Sequence, residues 1–359
     1  MTSPSVVRFG IVGTGQMAVR MTHAITRLPG ASIVGVASGS PARAERFAGA
    51  FAGVRAHPDE ASLLADAEVD AVYVCNATAS HAAATLRALR AGKPVLCEKP
   101  MATSAAEGRE IEAAAESSGR LVMEAMWTLF LPAYVRLAER VEAEREHGPQ
   151  HLYADFGYPM SGAEERRLLT PGAGAGVLLD RGVYPLALAL KLFGPVQRMS
   201  GTVELTSENV DRHAVLHLQH AGGVQAQIAV SLRVLLQNRV TVSSSSGLLG
   251  LDPPAIPAEV VRSVSAGRSA EPVDPLARPG VSARAREALR LLPPFRRLNR
   301  LRTGGHAEHR TYGADPYLPM LSHFCQLVRS GQRGSERMPV AMSTAVLDLV
   351  DRARQLPTP

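Results

Sequence analysis

The 359 residues are enough for two domains of ordinary size, and 46% hydrophobic against 20% charged residues excludes a disordered chain. Three cysteines, Cys75, Cys97 and Cys325, are too few and odd in number for a disulfide framework, no apolar run approaches a membrane span, and Met1 to Val12 has no signal-peptide layout, so a cytoplasmic protein without a membrane partner is expected. The net charge of +6 resides in one window, Arg284 to Arg310, where eight arginines face only Glu287 and Glu308; the remainder balances, which argues against a nucleic-acid partner.

Val6 to Val12 reads as a buried strand and Met17 to Leu28 as the helix that follows it. Ala31 to Ala37 is a second strand and Pro41 to Phe51 a second helix. Strands at Val69 to Cys75, Pro94 to Cys97 and Leu121 to Ala125 enclose helices at His81 to Ala91 and Ser104 to Ser117, the latter opening with the capping-box spacing Ser104 and Glu107. This alternation predicts a doubly wound parallel sheet of the Rossmann type over residues 1–127.

After Trp127 the pattern changes. Leu131 to Glu146 predicts one long helix, and strands follow at His151 to Tyr158, Val196 to Leu205, Ala214 to His220, Val224 to Leu235 and Arg239 to Ser245. Their period of two predicts an open, mainly antiparallel sheet with one more polar face, interrupted by a helix at Pro185 to Leu192. Residues 128–359 are thus expected to form an α+β domain built on this open sheet, with helices at Leu318 to Arg329 and Ala341 to Gln355 packing back. Asp252 to Tyr312, rich in Pro, Arg and Gly, fits neither pattern; Val281 to Leu292 could form a short helix there, stopped by Pro293-Pro294.

Gly13-Thr14-Gly15-Gln16-Met17-Ala18 joins the first strand to the first helix, a G-x-G-x-x-A dinucleotide fingerprint in its proper setting. Gly13 permits the tight turn, Gly15 lets the backbone approach a pyrophosphate, and the helix start offers free N–H groups to phosphate. The second strand ends in Ala37-Ser38-Gly39-Ser40, with no acid to hold the ribose 2′-OH of NAD. Ser38, Ser40 and Arg43 can hold a 2′-phosphate instead, so NADP is favoured over NAD.

Cys97-Glu98-Lys99-Pro100 ends a strand at the sheet's C-terminal edge, where ligands bind in such folds, and Pro100 biases Lys99 towards an extended backbone. Read alone, Lys99 is a solvated loop lysine, Tyr184 an amphipathic core residue and Asp180 a helix N-cap. No metal-ligand set is assigned.

Glu98-Lys99-Pro100 behind this fingerprint, with Gly172 to Gly176 followed by Asp180-Arg181-Gly182-Val183-Tyr184, resembles the glucose–fructose oxidoreductase, inositol dehydrogenase and MocA (Gfo/Idh/MocA) family. Tyr184 where many members have His, together with Leu96 to Met101, Met123 to Trp127 and Phe130 to Pro132, is similar to the branch of dimeric dihydrodiol dehydrogenases and NADP-dependent D-xylose 1-dehydrogenases. The resemblance runs from Phe9 to about Leu251 and again from Pro316.

It implies that Tyr184 gives or takes the substrate proton, that Lys99 lowers its pKa, and that Asp180 orients Lys99 and the substrate hydroxyls. The physics agrees in kind, because a free tyrosine titrates near 10 and needs a nearby cation to act as a base. The resemblance also places Asn76, His81, Glu98, Lys99 and Trp127 at the nicotinamide end; on residues alone, Ser80 or Thr78 caps the next helix and His81 sits in its exposed first turn. The implied activity is hydride transfer between NADP(H) and a secondary alcohol or hemiacetal of a sugar, cyclitol or cyclic diol. An NAD-dependent redox glycosidase and a non-catalytic NADP-binding regulator are the alternatives.

The chain departs from the branch at Gly39 and Leu129, where arginine is common, so the branch's substrates do not carry over. The Arg284 to Arg310 window reads as a solvated insertion, or else as a lid for an anionic or amphipathic substrate. An open sheet leaves one face to bury against a second copy, so a homodimer or higher homo-oligomer is expected.

Overall fold

The computed structural model describes residues 6–145, 148, 150–172, 174–266 and 305–358. The first sheet is built from β1 (Val7–Val12), β2 (Ala31–Ala37), β3 (Arg55–Ala56), β4 (Ala71–Val74), β5 (Val95–Cys97) and β6 (Val122–Glu124). It is wound with α1 (Gln16–Arg27), α2 (Pro41–Ala50), α3 (Glu60–Ala65), α4 (His81–Arg90) and α5 (Ala105–Ser118). The strand order is β3-β2-β1-β4-β5-β6 and every pairing is parallel. Helices cover both faces, which is why β1, β4 and β5 are apolar runs rather than alternating ones. The order reverses between β1 and β4, and a crevice opens beyond their C-terminal ends. At the head of α5 the Ser104 hydroxyl accepts from the Glu107 amide, and the Glu107 carboxylate reaches back to Thr103.

The second sheet follows α6 (Pro132–Ala143). It contains β7 (His151–Gly157), β8 (Val196–Leu205), β9 (Asp211–His220), β10 (Gln225–Ser231), β11 (Val240–Ser244), β12 (Gly247–Leu251), β13 (Val260–Ser265) and β14 (His306–His309). Between β7 and β8 come α7 (Gly162–Leu169) and α8 (Val183–Phe193); α9 (Leu318–Arg329) and α10 (Val340–Ala353) close the described chain. The order is β14-β13-β12-β11-β7-β10-β9-β8, antiparallel except for the β7–β10 pair. The apolar helix α8 packs on one face of this sheet. The other face is half-exposed and polar: Gln225 and Gln227 alternate with buried Ala226 and Ile228 along β10.

The C-terminal helices tie the two sheets together. Phe324 of α9 packs on Phe9 of β1, ring centroids 5.8 Å apart, and α10 lies on α5, where Asp351 accepts the Ala105 amide at 2.8 Å.

Three expectations change. The strand expected to run to Leu235 ends at Ser231, where the chain turns out of the sheet and exposes Val234 and Leu235. Part of the stretch from Asp252 to Tyr312 is regular: β13 and β14 extend the sheet edge, and polar residues such as His306 and Glu308 hid the strand pattern. The short α3 and α7 have no apolar stripe long enough to read from sequence. The expected helix at Val281 to Leu292 and most of the arginine-rich window lie outside the described residues. Among the described residues no helix is long and apolar enough to cross a membrane, and no group of three or more His, Cys, Asp or Glu is placed to hold a metal ion.

Candidate active site

Two clefts meet at the crevice between β1 and β4. The first, of about 760 Å³, is lined by Gly13, Thr14, Gly15, Ser38, Gly39, Arg43 and Asn76, with Asp59, Glu60 and Arg87 opposite. Gly13 has φ +120°, and a Cβ there would lie 2.7 Å from the Asn76 backbone nitrogen, so only glycine closes this turn. Beside Gly15 the space is open: a Cβ would meet nothing within 4 Å. Gly15 heads α1 with no side-chain cap and no acid in the first turn, which leaves its N–H groups available. The Asn76 side-chain oxygen, buried and without a partner among the described residues, faces the same crevice. An open cradle, free amides and an orphaned amide oxygen together fit a dinucleotide. We expect Gly13→Ala to abolish nucleotide binding and to cost roughly 2–4 kcal/mol of stability, measured by nucleotide titration and thermal unfolding.

At the second strand's end, Ser38 Oγ lies 3.3 Å from Thr14 Oγ1 and accepts the Ser40 amide at 3.4 Å. Ser40 heads α2 behind it, while Ser38 and Arg43 line the cleft. The acids across the cleft are engaged elsewhere. Glu60 pairs with Arg87 through both oxygens, at 2.9 and 2.8 Å, and Asp59 caps α3 by accepting the Ser62 amide at 2.7 Å.

The second cleft, of about 680 Å³, continues from Gly15, Gln16 and Met17 and contains His81, Glu98, Lys99, Trp127, Asp180 and Tyr184. Lys99 leaves the tip of β5. Asp180 sits in a single π-helical turn, Leu178–Gly182, that runs into α8, and Tyr184 follows in the first turn of that helix. The Lys99 ammonium donates to the Asp180 carbonyl oxygen at 2.9 Å and to its carboxylate at 3.3 Å, and lies 5.0 Å from the centre of the Tyr184 ring. Burial opposes the Lys99 charge, but Tyr184, Asp180 and Glu98 outweigh it and hold its pKa above the usual value. Trp127 Nε1 donates to the Tyr184 hydroxyl at 3.4 Å.

The structure brings Lys99, Asp180 and Tyr184 together, with one difference. Burial raises the Tyr184 pKa, and the pull of Lys99 and Trp127 in the other direction does not overcome it. The cation has the sign the sequence reading assumed, but it sits over the ring face and the apolar surround prevails. At neutral pH the Tyr184 phenol is therefore in its protonated form.

Glu98 is held by the protein itself, its carboxylate accepting from Tyr73 Oη at 2.5 Å and from the Lys99 amide at 3.2 Å. His81 is buried rather than in an exposed first turn: Nδ1 lies 2.8 Å from the Pro100 carbonyl oxygen and Nε2 3.2 Å from that of Asn76. Burial lowers its pKa, so the ring is neutral and donates to only one of the two. It clamps the loop after β4 to the loop after β5. Ser80 makes no side-chain cap to α4.

Several cleft residues were not assigned to the site from the sequence: Arg20, Glu164, Arg167, Gly174 and Tyr317, and Thr78, which was read only as a helix cap. Of these only Gly174 carried a signal, within the glycine run. It has φ +92°, and a Cβ would lie 2.7 Å from Thr78, so it permits close approach of the two sheets' loops. Arg181 was also missed. Its side chain is 1% exposed, and its guanidinium is stacked on the Tyr158 ring at 3.7 Å and donates to the Tyr158 and Ser231 carbonyl oxygens. It fastens the Asp180 turn to the ends of β7 and β10.

Comparison with known proteins agrees with this geometry. Residues 7–126 match the model of an oxidoreductase family with an NAD-binding Rossmann fold, and residues 134–249 match the GFO/IDH/MocA C-terminal domain. Trans-1,2-dihydrobenzene-1,2-diol dehydrogenase of Sus scrofa is 34% identical over 260 residues, 71% of this chain and 77% of that one. The dTDP-3,4-didehydro-2,6-dideoxy-alpha-D-glucose 3-reductase of Streptomyces antibioticus is 32% identical over 267 residues, 73% of this chain and 80% of that one. Among solved structures, KijD10, a 3-ketoreductase from Actinomadura kijaniata in complex with NADP and TDP-benzene, superposes with TM-score 0.76 at 24% identity, over 97% of each chain. With fold, fingerprint and both family models in agreement, the chain belongs to the Gfo/Idh/MocA family of NAD(P)-dependent oxidoreductases.

Proposed function

We propose that this protein transfers hydride between NADP(H) and a secondary alcohol or hemiacetal carbon of a hydroxylated ring, a sugar, cyclitol or cyclic diol. Tyr184 is the proton donor and acceptor, Lys99 its supporting cation, and Asp180 the residue that orients Lys99. The observation that carries this reading is the Lys99 ammonium, held by Asp180 against the Tyr184 ring in a cleft continuous with the Gly15 to Met17 turn. The nicotinamide, when bound, supplies the hydride acceptor or donor. Gly13 to Met17 would hold its pyrophosphate, and Asn76, His81, Glu98, Lys99 and Trp127 would surround the nicotinamide end. The substrate oxygen lies against Tyr184 Oη, which gives it a proton as a carbonyl is reduced and takes one as an alcohol is oxidised. The relatives named above act on a dihydrodiol ring or a keto sugar, in keeping with a hydroxylated ring here. A panel of sugars, cyclitols and diols with both cofactors, followed by nicotinamide absorbance, tests the reading; no turnover on any ring would sink it.

NADP is the cofactor on this reading. Ser38 lines the cleft beside Arg43, which has no carboxylate partner among the described residues, while Asp59 and Glu60 are engaged elsewhere. The KijD10 complex contains NADP. Arg43→Ala is expected to shift the ratio of kcat/KM for NADP against NAD about tenfold towards NAD, the weight of one charge-assisted hydrogen bond. An unchanged ratio would remove Arg43 from that role.

We assign residues 1–127 to cofactor binding and 128–359 to substrate binding and self-association, with the polar face of the second sheet as the surface that meets a second copy. A monomer by light scattering would contradict that last assignment.

A further inference from the structure

We infer that the rim of the substrate cleft is a phosphate-binding subsite formed by Arg20 and Arg167, and that the substrate is a hydroxylated ring joined to a phosphoryl group. This inference rests on reading the second cleft as the hydride-transfer site. The reacting groups are only part of that cleft's lining, which also includes Arg20, Arg167 and Tyr317. From the reacting groups a chain of aromatic contacts leads to Arg20. Trp127 bonds the Tyr184 hydroxyl at 3.4 Å, its ring lies 5.2 Å from that of Tyr317, and the Arg20 guanidinium lies over the Tyr317 ring at 6.0 Å. This cation–π approach to Tyr317 puts Arg20 at the last step of that chain of contacts, within the cleft lining. Arg167 enters from the other sheet's side, in the last turn of α7, which is anchored by the neighbouring buried Leu168.

Neither guanidinium has a carboxylate partner or a hydrogen bond among the described residues. The inner carboxylates are taken: Asp180 by Lys99, and Glu98 by Tyr73 and the Lys99 amide. Glu164, exposed on the first turn of α7, is the remaining acid in the lining, so the rim holds two guanidiniums against one carboxylate.

A neutral ring needs neither arginine. A carboxylate is planar and is satisfied by one guanidinium fork, whereas a phosphoryl group presents oxygens on several sides and accepts forks from two directions. A ring that lies along Trp127 and Tyr317, with its carbonyl at Tyr184, directs a phosphoryl substituent outward to Arg20 and Arg167. A sugar monophosphate and a nucleoside diphosphate sugar share this chemistry.

Calorimetry on the NADP-loaded protein tests the rim, since loading fills the cofactor's own phosphate sites. The probes are glucose, glucuronate, glucose 1-phosphate, UDP-glucose and inorganic pyrophosphate, the last being independent of ring stereochemistry. Phosphorylated probes are expected to bind about tenfold or more tightly than glucose or glucuronate, and less tightly as salt rises. Arg20→Gln and Arg167→Gln should each weaken them by about tenfold and leave glucose unchanged, while Glu164→Gln should tighten them. UDP-glucose well ahead of glucose 1-phosphate would identify a nucleotide-linked ring, and equal binding a monoester; both support the subsite. Glucuronate matching the phosphates, no binding by any phosphorylated probe, or phosphate binding unaltered in the double arginine variant overturns it. Hydride transfer is assayed separately. Turnover on neutral rings without phosphate binding removes the rim alone, and phosphate binding without turnover on any ring removes the proposed reaction alone.

Discussion

Replacing Tyr184 with phenylalanine is expected to lower kcat in both directions by about 100-fold or more, with cofactor affinity unchanged. The ring is buried, met edge-on by Phe156 at 5.8 Å and by Trp127 at 6.5 Å, and a phenyl group keeps both contacts. What is lost is the hydroxyl and the Trp127 hydrogen bond to it, so the fold should survive the change. The pH dependence gives a second reading of the same group. Because burial holds the Tyr184 pKa above its ordinary value of about 10, the donor stays protonated through neutral pH, and carbonyl reduction should show no alkaline fall until pH passes that raised pKa. Alcohol oxidation needs the phenolate, whose fraction grows tenfold per pH unit below the pKa, so its rate should climb with pH across the same range. Near-normal turnover in the phenylalanine variant, or an oxidation rate flat from neutral pH upward, would remove Tyr184 from the chemistry.

Lys99→Met should lower kcat by a similar factor of about 100 or more, for a different reason. Methionine fills nearly the same volume but removes the charge that the Asp180 carbonyl oxygen and carboxylate both engage. Lys99 is one of the two influences that pull the Tyr184 pKa down against burial. Without it that pKa rises further, so the alkaline limb of alcohol oxidation should move to higher pH as well as falling in height. A structural role alone would reduce activity without moving the limb. An unmoved limb, with the variant folded and binding cofactor, would show that Lys99 does not act on Tyr184.

The local sequence pattern identified the first sheet almost in full, because a parallel sheet covered on both faces shows as apolar runs between helices with capping residues. The Gly13 turn was equally plain, since a strand–turn–helix junction is a property of consecutive residues. Thr14 beside Ser38 and the exposed Arg43 were also within reach, as they lie near the ends of the first two strands. Lys99, Asp180 and Tyr184 were legible one at a time, each with an ordinary alternative, and only family resemblance joined them. Residues 99 and 180 meet because the π-helical turn before α8 is fastened to the ends of β7 and β10 by Arg181, a contact that no local periodicity encodes. Tyr317 and Arg20 come to one cleft in the same way, through α9 packing on β1 from almost the other end of the chain. The sequence alone therefore determined the dinucleotide turn, the parallel sheet and the chemical types available at the site. The tertiary structure alone decided that Lys99 lies over the ring of Tyr184, that burial outweighs its pull on the phenol, and that two arginines share one rim. The first group depends on hydrogen bonds and side-chain spacing between chain neighbours, the second on distance and desolvation between residues far apart in sequence, which no spacing of residues can express.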